Sequence, residues 1–90
     1  MGIKKIARPI NKAKNEFVKW LKENDAEYVD IYNGTSKEWN YYIYVDGFID
    51  EAHYSVYFKI WSDGLERIDY SGGTYKYENI SVQEFLELIR

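Results

Sequence analysis

The sequence contains no cysteine and a single proline among its 90 residues. Without cysteine, disulfides, thiolate nucleophiles and Cys-ligated zinc sites are excluded, and this composition favours an intracellular protein. No apolar run approaches the roughly 18 residues of a membrane span. The basic N-terminus also lacks the continuous apolar segment of a secretory signal. We therefore expect a cytoplasmic protein that does not associate with membranes.

Motifs for catalysis and for cofactor binding are missing as well. His53 is the only histidine and has no second histidine at a metal-ligand spacing. The acidic segment DGFIDE at 46–51, interpreted as a loop, lacks the alternating ligands of a calcium loop. The segment SGGT at 71–74 matches neither of the glycine patterns that cradle phosphates. We expect a protein that is not an enzyme, with no catalytic residue, no cofactor and no metal ion.

The hydrophobic content of 46% predicts one packed domain over residues 1–90. Apolar side chains recur at helical spacing within residues 9–24, where Pro9 suits a first turn. Residues 1–8 are predicted to form a flexible basic arm. In 80-ISVQEF-85, Ser81 and Glu84 have the spacing of a capping box, which predicts a helix from 82 to the end.

Between these helices the apolar period drops to two, which predicts β-strands at 26–33, 38–46, 52–62, 65–71 and 74–79. The resulting fold class is α+β. It comprises an N-terminal helix, a five-stranded antiparallel meander and a short C-terminal helix, with both helices on one sheet face.

The pattern also predicts how the last three strands pair. A three-residue turn with Gly64 as a bulge places apolar residues of the third and fourth strands opposite each other. A two-residue turn at Gly72-Gly73 places opposite charges of the fourth and fifth strands in pairs. The pairs predicted for the two hairpins are Trp61 with Leu65, Phe58 with Ile68 and Val56 with Tyr70, and then Asp69 with Lys76 and Arg67 with Glu78.

Strand alternation divides the ten tyrosines between two faces of the predicted sheet. The face under the helices is expected to carry Trp39 and, as core or core-edge residues, five tyrosines, namely Tyr41, Tyr54, Tyr70, Tyr75 and Tyr77. No remaining segment is long enough to cover the other face. The candidate partner-binding residues predicted on that open face are Tyr28, Asp30, Tyr32, Tyr42, Tyr44, Asp46, Tyr57 and Trp61.

Tyrosine has a high β-propensity, so single exposed tyrosines are ordinary on a half-wet sheet. Five of them with a tryptophan on adjacent strands exceed that requirement. Tyrosine and tryptophan are enriched at the centres of protein interfaces. We therefore expect a non-enzymatic protein-binding module that uses an acidic, tyrosine-rich sheet face.

In size and composition the chain resembles small phage-encoded inhibitors of host defence proteins or nucleic-acid enzymes. The resemblance implies a protein partner with a basic, nucleic-acid-binding groove, in which the acidic side chains would speed association. Two alternatives remain open. Face-to-face packing of two sheets would give a homodimer. Residues 1–22 carry a net charge of +6 against −9 for the rest of the chain, so direct nucleic-acid binding through the first helix is the other alternative.

Overall fold

Two helices flank five strands along the chain. The computed structural model describes residues 3–37, 39–61 and 66–90, and side chains from residue 9 onward. The elements are α1 Ile3–Glu23, β1 Val29–Gly34, β2 Trp39–Ile49, β3 Ala52–Trp61, β4 Glu66–Gly72, β5 Tyr75–Ile80 and α2 Val82–Ile89. The strands form one antiparallel sheet in sequence order. The predicted α+β class is confirmed.

The helices pack on one face of this sheet and enclose the core. The apolar stripe of α1 is fully buried at Ile10, Ala13, Phe17 and Leu21, as helical spacing predicts. Phe17 contacts Phe85 of α2 edge to face, with 5.6 Å between ring centroids. The two helices therefore form a single layer over the central strands.

Helix α1 begins at Ile3, so the helix includes most of the segment predicted to be an arm, and Pro9 lies inside it. The predicted flexibility of residues 1–8 stays a prediction. At the other end, Asp25 adopts a left-handed φ of 58°. The amides of Asp25 and Ala26 donate to the carbonyls of Lys22 and Leu21, which is the Schellman arrangement that ends a helix.

Gly47 permits the close approach of α1 to the sheet. It is buried in β2, and a Cβ built there would lie 2.6 Å from Cδ2 of Leu21. No side chain fits at this point while the helix keeps its position. The segment 46–49 was predicted to be loop, but β2 continues through it to Ile49.

The turn between β2 and β3 consists of Asp50 and Glu51 alone, with φ values of 47° and 67°. Positive φ at both central residues matches a type I′ turn, whose twist suits a hairpin. The prediction of a six-residue acidic loop is therefore wrong, because β2 continues through Ile49 and only two residues make the turn.

Register between β3 and β4 follows the prediction. Phe58 pairs with Ile68 and Val56 with Tyr70, so apolar side chains meet on the helix side. The predicted bulge at Gly64 and the pair of Trp61 with Leu65 lie outside the described residues.

The predicted register between β4 and β5 is wrong. Gly72 pairs with Tyr75, so the turn is Gly73-Thr74, with the positive φ of 57° at Gly73. A bulge at Asn79 shifts the ladder further, and the Asn79 amide donates to Oδ1 of Asp69. Neither predicted charge pair forms: Lys76 lies opposite Ser71, and Lys76 pairs instead with Glu78 on its own strand.

The tyrosines predicted on the helix side of the sheet lie there, but they differ in how far they are buried. Tyr70 is buried between the helices, and burial followed by the nearby Tyr54 and Tyr77 raises its pKa to about 12. Tyr41, Tyr54 and Tyr77 pack half-buried against the core. Tyr75 lies on the same side of the sheet as Tyr77, but on the edge strand β5 beyond the helices, where it is 67% exposed. Its assignment to the core is wrong.

Candidate binding surface on the open sheet face

The sheet face opposite the helices is called the open face below. Within the described residues, no helix or strand packs against it. The pairs Asp30–Asp46, Tyr32–Tyr44, Tyr44–Tyr57 and Trp39–Trp61 place their side chains on one side of β1, β2 and β3. The structure therefore brings together on the open face all of the predicted residues, namely Tyr28, Asp30, Tyr32, Tyr42, Tyr44, Asp46, Tyr57 and Trp61.

The rings on this face form a continuous row across three strands. The centroids of Tyr32 and Tyr44 are 6.1 Å apart, and those of Tyr44 and Tyr57 are 4.4 Å apart. Tyr57 in turn contacts Tyr42 and Trp39 at 6.2 and 6.0 Å. These distances lie within or at the lower limit of the range of favourable aromatic pairs, so the row also stabilises the sheet.

Exposure differs among the rings. Tyr32 is 56% exposed and Tyr57 38% exposed, whereas Tyr42 and Tyr44 are half-buried by their neighbours. Burial, followed by the charge of Asp46, raises the pKa of Tyr44 above its usual value. Tyr32 and Tyr57 are therefore the most accessible tyrosine rings of the row.

Trp39 is the residue that sequence reasoning placed on the wrong face. Trp39 pairs with Trp61, but Tyr41 pairs with Ile60, so Asn40 is an extra residue in β2. This β-bulge turns the Trp39 ring onto the open face, where it contacts Tyr42 and Trp61 at 5.4 and 6.1 Å. The sequence pattern gave no signal for the bulge. Trp39 and Tyr41 are both aromatic, so alternation around Asn40 looks unbroken.

A buried ion pair lies beneath these rings. Lys59 is only 9% exposed, and its ammonium group pairs with the carboxylate of Asp69 on the neighbouring strand. The same ammonium lies 4.7 Å from the Trp39 ring centroid and 5.6 Å from that of Tyr57. A lysine on a sheet face without helices is ordinarily exposed. The structure shows instead that the rings cover Lys59 and Asp69 neutralises it.

Burial raises the pKa of Asp69, but hydrogen bonds from Lys59 and from the Asn79 amide outweigh that effect. The attraction of the nearby lysines adds to them, and the net pKa of Asp69 lies below its usual value. The carboxylate is therefore charged at neutral pH and completes the pair with Lys59.

A shallow groove of about 400 Å³ opens beside this pair, between the aromatic row and β5. Trp39 and Tyr57 form one wall of the groove, which is aromatic. Ser71, Lys76 and Glu78 form the other wall, which is polar. Oppositely charged side chains alternate along it, so the groove carries no strong net charge. It suits a partner that presents both apolar and hydrogen-bonding groups.

The opposite corner of the open face holds the only histidine. The Tyr28 hydroxyl lies 3.4 Å from Oδ2 of Asp46 and 3.3 Å from Nδ1 of His53. Phe48 stacks on Tyr28 with 6.0 Å between centroids, a contact that the loop prediction missed. Partial burial, followed by the charge of Asp46, raises the pKa of Tyr28. Among the described residues, no group of three or more carboxylate or histidine ligands could hold a metal ion.

Charge on the open face is divided between its two halves. Near β1 the charged carboxylates are Asp30 and Asp46, with His53 beside the latter. Near β4 and β5, Lys59 with Asp69 and Lys76 with Glu78 form pairs of opposite sign. The predicted acidic character therefore applies to the β1–β2 half only.

The alternative basic surface lies on α1. Lys12, Lys19 and Lys22 are exposed there, but Glu16 lies between the first two and Glu23 follows the third. No described helix has the length and apolar character needed to cross a membrane. Comparison with protein-family models, with curated proteins and with solved structures finds no match to this chain.

Proposed function

We propose that this protein is a small non-enzymatic binding module whose open sheet face docks a protein partner. One observation carries the proposal: rings from three strands form a continuous row on a face that no described element covers. Rigid aromatic side chains of this kind supply contact area at low entropic cost and dominate interface energetics.

The charge division of the face favours a partner with a basic rim. Asp30 is exposed and Asp46 lies beside it across the β1–β2 pair. In the proposed complex these carboxylates steer a basic surface onto the β1–β2 half, while the rings provide the affinity. The nucleic-acid-binding groove of a defence or nucleic-acid-processing protein has this chemistry, and inhibition would follow from its occupation. The absence of cysteine suits a cytoplasmic encounter.

The test compares two variants that remove exposed tyrosines from opposite faces of the sheet. Tyr32→Ser with Tyr57→Ser removes the two most exposed rings of the row, while Tyr75→Ser removes a 67% exposed ring on the other face. Proteins captured from the native cell by the wild type are identified, and the purified partner is then titrated by calorimetry. We expect at least about tenfold weaker binding for the double variant and unchanged binding for Tyr75→Ser.

Equal affinity for the wild type and the double variant would overturn the proposal. Circular dichroism and thermal unfolding establish that each variant is folded, because the rings also stabilise the sheet. Binding to oligonucleotides that falls steeply with salt and is lost on replacing Lys12, Lys19 and Lys22 would favour the nucleic-acid alternative instead.

A further inference from the structure

We propose that the free edge of β1 pairs with β1 of a second copy of this chain, joining two sheets into one antiparallel sheet across a two-fold axis at Ile31. This inference does not depend on the proposed function. Within the described residues, β1 pairs with β2 alone and its outer edge has no partner. Such an edge presents unpaired amide and carbonyl groups that template a further strand.

The register shows which backbone groups face outward. A two-residue turn makes its flanking pair, Ile49 with Ala52, a hydrogen-bonded pair. Because pairs alternate along an antiparallel ladder, odd-numbered residues of β2 bond to β3 and even-numbered ones to β1. The Phe48 carbonyl accepts a 2.8 Å hydrogen bond from the Glu27 amide, so this even-numbered residue of β2 directs its carbonyl toward the β1 side.

The same alternation applies to β1. The β1 residues that pair with even-numbered residues of β2 are Asp30, Tyr32 and Gly34. The amides and carbonyls of Val29, Ile31 and Asn33 therefore point to the free edge. These are six backbone groups in a regular row, with no shift anywhere in the β1–β2 register.

Among the possible antiparallel registers, one uses all six groups. With the two-fold axis at Ile31, Val29 of each copy pairs with Asn33 of the other, and six hydrogen bonds form. Asp30 then lies opposite Tyr32 of the second copy, so no like charges meet. An axis at Asp30 would place two carboxylates opposite each other, and an axis at Tyr32 would form only four bonds.

The two edges of the sheet also differ in how well they are protected. The outer strand β5 carries the exposed charges of Lys76 and Glu78 and a bulge at Asn79, devices that discourage pairing. Strand β1 has neither the bulge nor a lysine, and Ile31 is 45% exposed on the helix side. Pairing at the axis would cover Ile31 with its counterpart.

The oligomeric state tests the proposal directly. Sedimentation equilibrium at about 100 µM is suited to a small interface of this kind, and we expect a mass approaching twice 10.8 kDa. Ile31→Pro removes an outward amide and leaves the β1–β2 ladder intact, since proline is tolerated at such edge positions. We expect the dimer dissociation constant of Ile31→Pro to be at least about tenfold higher than that of the wild type. Ile31→Val, which keeps the amide, should dimerise as the wild type does.

The absence of native cysteine makes the register testable. Residues 30 and 32 of opposite copies form a non-hydrogen-bonded pair, whose Cα atoms lie about 4.5 Å apart, within disulfide reach. A mixture of Asp30→Cys and Tyr32→Cys chains should therefore crosslink on oxidation faster than either variant alone. A monomeric wild type, a dimer insensitive to Ile31→Pro, or equal crosslinking in all three samples would each overturn the proposal. A folded Ile31→Pro variant that still binds the partner of the open face would separate this surface from that one.

Discussion

The ammonium group of Lys59 lies 4.7 Å from the centroid of the Trp39 ring, on the face of the sheet that neither described helix covers. The same ammonium pairs with Asp69, so one lysine connects β2, β3 and β4. The contact exists because the bulge at Asn40 turns Trp39 outward. It makes the open face a packed second layer of side chains as well as a candidate interface.

We expect Asp69→Asn to destabilise the protein by about 1–3 kcal/mol. Removing one partner of a fully buried ion pair costs about 3–5 kcal/mol, and the value is reduced here because the Asp69 side chain is 28% exposed. Urea unfolding at neutral pH measures the loss. The double change Lys59→Met with Asp69→Asn should recover part of it, since no charge is then left unpaired beneath Trp39. A double variant as unstable as Asp69→Asn would contradict this account.

The ion pair of Lys59 with Asp69 predicts that the free energy of unfolding falls at low pH. The pKa of Asp69 is lowered in the folded state from a usual value of 3.8. A lowered pKa contributes stability that is complete above the unfolded-state value and is lost as pH falls through the folded-state value. Between pH 6 and about 2, the wild type should therefore lose more stability than Asp69→Asn. The midpoints of urea unfolding, measured for both proteins across this pH range, test the prediction. If both midpoints change with pH in the same way, other carboxylates cause the acid response.

A double-mutant cycle on Tyr44 and Tyr57 measures how much contacts within the aromatic row stabilise the fold. Their ring centroids are 4.4 Å apart, so we expect a coupling of about 0.5–1.5 kcal/mol between Tyr44→Ala and Tyr57→Ala in chemical denaturation. Tyr32→Ser, at a 56% exposed ring, should cost less stability than either. Zero coupling would mean that the rings are adjacent without stabilising the sheet.

Gly47→Ala should destabilise the protein by about 1–3 kcal/mol, because the added methyl group overpacks the core. It would lie 2.6 Å from Leu21 and push α1 off the sheet. Leu21→Ala in the same chain should relieve the clash, so the double variant should lose less than the two single losses combined. Gly34→Ala is the control, since its nearest contact would be 3.3 Å, to the Tyr42 ring. Equal losses for the two alanine variants would refute the steric argument.

Asp25→Gly should stabilise the protein by about 0.5–1 kcal/mol. Asp25 ends α1 with a φ of 58°, a conformation that glycine adopts without the Cβ penalty. The change also removes a negative charge from the negative end of the helix dipole. Asp25→Ala should give no comparable gain, since alanine retains the Cβ. Thermal unfolding of the wild type and both variants tests this prediction. If Asp25→Ala is stabilised as much as Asp25→Gly, the gain comes from removing the negative charge alone.

Several parts of the fold were predictable because they depend on local chemistry. The spacing of Ser81 and Glu84 predicted a capping box, and both of its hydrogen bonds are present. The apolar stripe ending at Leu21 predicted which side of α1 is buried. Alternation placed Tyr32, Tyr44 and Tyr57 on the open face because a strand without bulges keeps a strict period of two.

The errors arose where the period is broken. The bulge at Asn40 moves Trp39 across the sheet. The β4–β5 pairs differ because the turn lies at Gly73-Thr74, and the bulge at Asn79 shifts them further. The burial of Lys59 was equally invisible, because its partners come from two other strands.

The sequence alone thus determined the α+β class, the order of the elements, the helix faces and the row of tyrosines on the open face, since each follows from short-range periodicity. Only the tertiary structure decided where the ladders slip, which ring covers Lys59 and how far the helices extend over the sheet. Those features depend on contacts between residues distant in the chain. Their free energy is set by packing and by desolvation of charge, neither of which a local pattern records.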